Sequence, residues 1–417
     1  MILPGVYLTY VHSEKFKTGC MSISLLRPLC REEASANALI PTVLLRGCES
    51  YPDISSISAF LDHHYGASVG TLVRKKGEVQ AVGFYADFLE DAMTLDHEKV
   101  LEPMLQFVGD LLLRPVLENG RFVESYVEGE KQNLINAIES RINDKKSYAA
   151  SQLLKVMCAE EAYGVPRLGE KEDVQALDAE SLYAHYRRLL TQSQIEIFYL
   201  GRREESQVRS LMEQMLRDLP RGELEAVGTV FVPRAKSIHT CREAMDVTQG
   251  KLALGLRTGC TVLDSEYPAM LLMNAVFGSG VTSKLFLNVR EKLSLCYYAS
   301  STLEKFKGVM VISSGIEFDK YEMARDEILR QLDACRDGDI TEDELESARR
   351  AILSSLKTGM DSPGRLDDYA LGQAIVGREG TMADLAEQVR VVTLEQVVEA
   401  AKRVSLDTEY FLEGVQA

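Results

Sequence analysis

The 417-residue sequence predicts an α+β protein of two tandem homologous domains, each a mostly antiparallel sheet with helices packed on one face. Three observations predict it. Two glycine pairs stand at one offset, Gly47 with Gly278 (278 − 47 = 231) and Gly77 with Gly308 (308 − 77 = 231), so the halves align without a gap. Between those glycines each copy carries a helix, a strand, a Lys-Gly turn and a second strand. Long amphipathic stretches then follow. A repeat of this length marks a duplicated domain, because solenoid repeats run about 20–50 residues.

In the first copy, LDHHYGAS ends a helix, and TLVR and EVQAVGFY are valine- and aromatic-rich strands broken by KKG. EKVLEPMLQFVGDLLL then places apolar residues at three- and four-residue spacing, as a helix on a sheet face requires. QIEIFYLG is a late third strand. The Pro- and Gly-bearing stretch LPRGELEAVGTVFVPRAK suits a linker, which gives domains at 1–218 and 245–417 with residues 219–244 between them. In the second copy, NVREK is the helix, LCYYASSTLE and GVMVISSGI are the strands around FKG, and KYEMARDEILRQLDACR is the long helix.

Composition sets limits on function. At 46% hydrophobic and 26% charged residues the chain can bury real cores. Its net charge, 47 − 63 = −16, repels phosphate backbones and anionic lipid, so neither nucleic acid nor membrane is expected as a partner. MILPGVYLTYVHSEKFK has no basic and apolar signal pattern, and the uncharged run from Tyr267 to Ser283 is too broken by Pro268, Asn274, Gly278 and Gly280 to span a bilayer. A cytoplasmic location is the expectation. The eight cysteines form no C-x-x-C pair, which removes zinc-knuckle and thioredoxin readings.

GSGVTSK at 278–284 lacks the G-x-x-x-x-G-K-[ST] spacing of a phosphate loop, and Gly278, Ser279 and Gly280 predict instead a flexible, peptide-adaptable loop. His63 and His64 are adjacent, about 100° apart on a helix, and cannot share a metal as an i, i+4 pair can. His12, His97, His185 and His239 stand alone. Arg290 and Tyr297, seven residues apart, read by themselves as a helix-end ion pair and a packed ring.

The block VREKLSLCYYASS, with RPLCREEASANALIPTVLLRGCESYPDISSISAFLDHHYGAS in the first half, resembles the pitrilysin/insulinase superfamily of inverted-motif zinc peptidases over nearly the whole chain. That resemblance implies a metallopeptidase clamshell half. It also places the H-x-x-E-H zinc motif at Ala38-Leu39-Ile40-Pro41-Thr42 and the third ligand's glutamates at Asn136 and Ala137. Alanine, proline, threonine and asparagine are not the Cys, His and carboxylate groups that hold zinc. YGVPRLG at 163–169 resembles a loop that marks the fold. Arg290 and Tyr297 match the superfamily's Arg/Tyr pair, which donates hydrogen bonds to the substrate oxyanion; the family's glycine before the leucine is Ser294.

The resemblance therefore implies a non-catalytic member with no metal or cofactor of its own. It pairs with an H-x-x-E-H homologue that holds zinc, binds peptide and donates Arg290 and Tyr297 to the partner's site. Two other readings stay open: a homodimeric peptide-binding or scaffold protein without catalytic contribution, and an active zinc endopeptidase with unrecognised ligands.

Overall fold

The computed structural model describes residues 1–415. The first half runs β1 Val6–His12, β2 Thr18–Pro28, α1 Arg31–Leu44, α2 Ile54–His63, β3 Ser68–Lys76, β4 Val79–Leu89 and α3 Leu101–Leu113. It continues through the short β5 Leu117–Glu118 and β6 Arg121–Phe122, then α4 Glu124–Glu139, α5 Lys145–Met157, α6 Lys171–Gln175, α7 Ala179–Gln192, β7 Gln194–Gly201 and α8 Glu205–Met215. The second half runs β8 His239–Met245, β9 Gly250–Arg257, α9 Tyr267–Phe277, a π-helical segment Leu285–Lys292, β10 Cys296–Glu304 and β11 Val309–Ile316. It ends with α10 Tyr321–Arg336, α11 Glu342–Gly359, α12 Pro363–Ile375, α13 Met382–Arg390, α14 Leu394–Arg403 and β12 Ser405–Gly414.

The repeat is legible strand by strand. One sheet has the order β1-β7-β2-β4-β3, the other β8-β12-β9-β11-β10, and in each a single parallel pair (β1 with β7, β8 with β12) joins antiparallel neighbours. The two Lys-Gly turns sit where the periodicity predicts. Gly77 and Gly308 have φ of 56° and 67°, a left-handed conformation that glycine adopts without steric cost.

The chain folds into two compact units, and neither is contiguous. The first comprises Met1–Glu139, Val165–Gly228 and Pro363–Gly377; the second comprises Ser140–Gly164, Thr229–Ser362 and the chain from Arg378 on. In the first unit, Met21, Ile23 and Leu25 of β2 join one large core with α1, α3, α7 and α8. Side chains alternate along a strand, so Cys20 and Leu26 face the other way. There they meet Leu366, Ala370 and Leu371 of α12, a helix from the second half of the sequence. Asp367 on α12, fully buried, accepts from Ser22 Oγ and pairs with Arg74, both at 2.5 Å.

The exchange is reciprocal. In the second unit, α5 lays Ala149, Leu153 and Met157 against Ala253, Val311 and Leu412. These spacings of four residues put one apolar stripe on one helix face. Segments 140–164 and 363–377 thus cross the contiguous boundaries 1–218 and 245–417 suggested by the repeat, and the first unit reaches Gly228, inside the 219–244 stretch. Periodicity shows that a helix has an apolar stripe, not which sheet receives it. The YGVPRLG loop has a packing role: Gly169, at φ 73°, lies so close to α1 that a Cβ would stand 1.9 Å from Ser35 Oγ.

Candidate functional site

Ala38, Pro41 and Thr42 all lie on α1, packed against α4, where Asn136 sits; an Arg46–Glu130 contact of 3.4 Å ties the chain just past α1 to the middle of α4. Ala38 and Pro41 are buried, the Thr42 hydroxyl donates to the Leu39 carbonyl (2.8 Å), and the Asn136 amide oxygen accepts from Gln132 (2.9 Å). These residues do not fit zinc. Among the described residues no three His, Cys, Asp or Glu side chains converge as a metal site.

What α1 carries instead is a buried polar chain. Asn37 Nδ2 donates to Gln80 Oε1 (2.9 Å), and Gln80 Nε2 donates to the Ala34 and Arg167 carbonyls (3.0 and 2.7 Å). His185, from α7, stands with Nε2 2.7 Å from Asn37 Oδ1 and Nδ1 2.8 Å from the Arg188 guanidinium. A guanidinium only donates, so Nδ1 accepts and the proton is on Nε2. Burial, opposed by Glu33 and reinforced by the cations Arg188 and Arg27, pushes His185 down to about 4.

A pH dependence follows. The unfolded chain protonates this histidine below about 6.5 while the fold keeps it neutral, so its stability contribution is full above that value and lost as pH falls towards 4. Between pH 6.5 and 5 the expected loss is about 2 kcal/mol, at roughly 1.4 kcal/mol per unit. Urea midpoints at both pH values check it: His185→Gln should flatten the slope.

Arg290 and Tyr297 come together. Both line an open cavity of about 400 Å³ with Glu291, Ser294, Leu295, Cys296, Glu317 and Lys320. Buried Leu285 and Val289 seat the π-helical segment, whose outer side presents Arg290 stacked over Phe286 at 4.6 Å. Asn288 pins the segment to α10 through Gln331 (2.7 Å). Tyr297 falls where the β10–β11 register shifts between Cys296 and Tyr298. Such a bulge re-aims a side chain, and Tyr297 is 66% exposed. Among the described residues its hydroxyl has no hydrogen-bond partner, and Arg290 holds only Glu291, at 3.5 Å. Burial pushes the Cys296 thiol up, against the influence of Ser314 and Arg290, so this cysteine is not poised as a nucleophile.

Ser294, in the family's glycine position, has φ 49°, and its N–H donates to the Arg290 carbonyl (3.1 Å). The turn is thus kept with a residue that it strains. Ser294→Gly relieves about 1–2 kcal/mol of left-handed strain and adds about 0.5–1 kcal/mol of unfolded-state freedom, so a net gain of about 0.5–1 kcal/mol is expected. Thermal unfolding of the variant measures it.

Gly278, Ser279 and Gly280 do not line this cavity. Gly278 is a packing residue: a Cβ there would stand 2.4 Å from Ser301 Oγ, and its carbonyl accepts the Ser301 N–H (2.9 Å), closing the edge of β10. Ser279 and Gly280 are exposed. Lys284, at the end of GSGVTSK, is buried and clamps Glu344 at 2.9 and 3.2 Å, a structural pair at the start of α11. Lys320 and Glu317 were missed by sequence reasoning, since no spacing ties the segment before α10 to the Arg/Tyr block.

Comparison with known proteins agrees with this picture. The family model described as the peptidase M16 inactive domain matches residues 176–352. The chain is 33% identical over 415 residues, 99% of its length and 96% of the relative's, to the probable inactive metalloprotease YmfF of Bacillus subtilis (strain 168). A conserved protein from Enterococcus faecalis V583 superposes with a TM-score of 0.91 at 29% identity, covering 99% of this chain and 97% of that one. The peptidase M16 inactive domain from Pseudomonas fluorescens shares the fold, with a TM-score of 0.79 at 16% identity and coverage of 99% and 97%. With that likeness along almost its whole length, and with alanine, proline and threonine at the zinc-motif positions of its first helix, the chain belongs to the M16 metallopeptidase family as one of its inactive members.

Proposed function

We propose that this protein is the non-catalytic subunit of a zinc peptidase pair, in which a homologue carrying H-x-x-E-H holds the metal and this chain supplies Arg290 and Tyr297. The observation that carries the proposal is the cavity. It presents a guanidinium and an unpartnered phenol, two hydrogen-bond donors, to solvent, in a chain whose own α1 has alanine, proline and threonine at the zinc-motif positions. Donors held in place before the reaction stabilise a peptide carbonyl oxygen as charge develops on it.

The test is co-expression with an H-x-x-E-H relative from the same genome. A stable complex that cleaves peptides faster than the relative alone is the expected result. A complex whose activity does not depend on this chain returns the scaffold reading. Stoichiometric zinc and peptide cleavage by this chain alone would return the autonomous peptidase.

A further inference from the structure

Two five-stranded sheets have four open edges, and three of them carry a device against pairing with another chain. On β10, the Gly278 carbonyl takes the Ser301 N–H. On β3, Arg167 takes the Val73 carbonyl and the strand ends in Arg74, Lys75 and Lys76. On β8, Arg242 and Glu243 place charges inside the strand. Such devices are how proteins keep sheet edges from adding foreign strands.

The fourth edge, β1, carries no such device beyond its first residue. Its sequence, VYLTYVH, contains no Asp, Glu, Lys, Arg or Pro. The Gly5 carbonyl and the Ser13 N–H bond inward to β7 (2.9 Å each), so by alternation the N–H and C=O of Leu8, Tyr10 and His12 point to the open side. Among the described residues none of these six groups has a hydrogen-bond partner. Only Val6 is closed, by Ile2 and Leu3.

We infer that β1 is an interface, and that its occupant is β1 of a second copy of this chain, antiparallel, with the two-fold axis at Thr9. The strand fits itself. In an antiparallel pair, outward-pointing residues oppose one another, which the Thr9 axis satisfies. Leu8 then faces the second copy's Tyr10, and Tyr10 its Leu8, exchanging four backbone hydrogen bonds. Tyr7 meets Val11 and Thr9 meets Thr9 on one face. Every opposed pair between residues 7 and 11 is an uncharged aromatic, β-branched or leucine pair, of the kind that stabilises neighbouring strands.

The product of this two-fold pairing is one continuous ten-stranded sheet. This surface lies on the first unit and does not draw on the Arg290 cavity.

The full-length chain tests the inference by light scattering and hydrogen exchange. The expected mass at micromolar concentration is twice 46.5 kDa, with the Leu8 and Tyr10 amides slow to exchange in the dimer and fast on dilution to monomer. The amides of Tyr7 and Thr9, already bonded to β7, should not change. Thr9→Lys sets two lysines face to face across the axis and should return a single-chain mass with unchanged circular dichroism. A monomer at all accessible concentrations overturns the inference. So does a dimer in which Leu8 and Tyr10 still exchange fast, because its interface is elsewhere.

Discussion

In a complex reconstituted with an H-x-x-E-H relative, as the proposed function requires, Arg290→Ala is expected to lower kcat for peptide hydrolysis by about 10²- to 10³-fold, the range for loss of one oxyanion donor. The geometry sets this scale. Arg290 is held over Phe286 by a π-helical segment whose buried side is anchored, so its position does not depend on the substrate. A donor already in place needs no reorganisation when charge develops, and its removal appears in kcat more than in KM. Tyr297→Phe removes one neutral donor and should cost less. Both variants should still form the complex, because neither side chain supports the core: Tyr297 is largely exposed and Arg290 touches only a neighbouring carboxylate and a ring. Native mass spectrometry beside the rate measurement separates the two effects. A complex that forms normally and hydrolyses peptide at the wild-type rate after Arg290→Ala would refute the donated pair.

The largest expected effect on stability is at Glu161. Just past α5, on the exchanged segment, this carboxylate meets two cations that have almost no contact with water: Lys307 at 2.6 Å and Arg257 at 2.6 Å. Arg257 also holds Asp407 (2.8 Å), and Lys307 also meets the Val230 carbonyl, at 2.5 Å. Burial by itself raises the Glu161 carboxyl; the hydrogen bonds and charges of Arg257 and Lys307 outweigh it and hold the group below its usual range.

Glu161→Ala leaves Lys307 charged and buried. Breaking one side of such a cluster costs about 3–5 kcal/mol, and the urea midpoint should fall accordingly. Adding Lys307→Met to that variant should recover part of the loss, because it removes a buried charge that has lost the Glu161 carboxylate. A Glu161→Ala midpoint within experimental error of wild type would mean that water reaches the cluster.

Much of the site was legible in the residues themselves. Ala38, Pro41 and Thr42 are not zinc ligands in any fold, so the loss of the motif on α1 is a statement about side-chain identity. Arg290 and Tyr297 were singled out by the family resemblance of the block that contains them, not by their spacing. Their neighbours were not: Lys320 and Glu317 reach the cavity from the segment before α10, and the bulge that re-aims Tyr297 depends on its pairing with β11. The glycine loop shows the opposite error. Gly278 looks like flexibility in a sequence, yet it is there because β10 passes too close for a Cβ.

The division has one physical reason. Whatever depends on a residue and its near neighbours was determined by the sequence: the Lys-Gly turns at φ 56° and 67°, the strand runs, the amphipathic helices and the repeat that doubles them. Whatever depends on the choice between equivalent long-range partners was decided only by the tertiary structure. An apolar stripe such as Ala149, Leu153 and Met157 stabilises any sheet face that it covers, and two copies of one sheet offer two similar faces. The reciprocal docking of α5 and α12 resolves that choice. Buried groups such as Asp367 with Arg74 and Glu161 with Lys307 enforce it, because a misplaced helix would leave a charge without a partner.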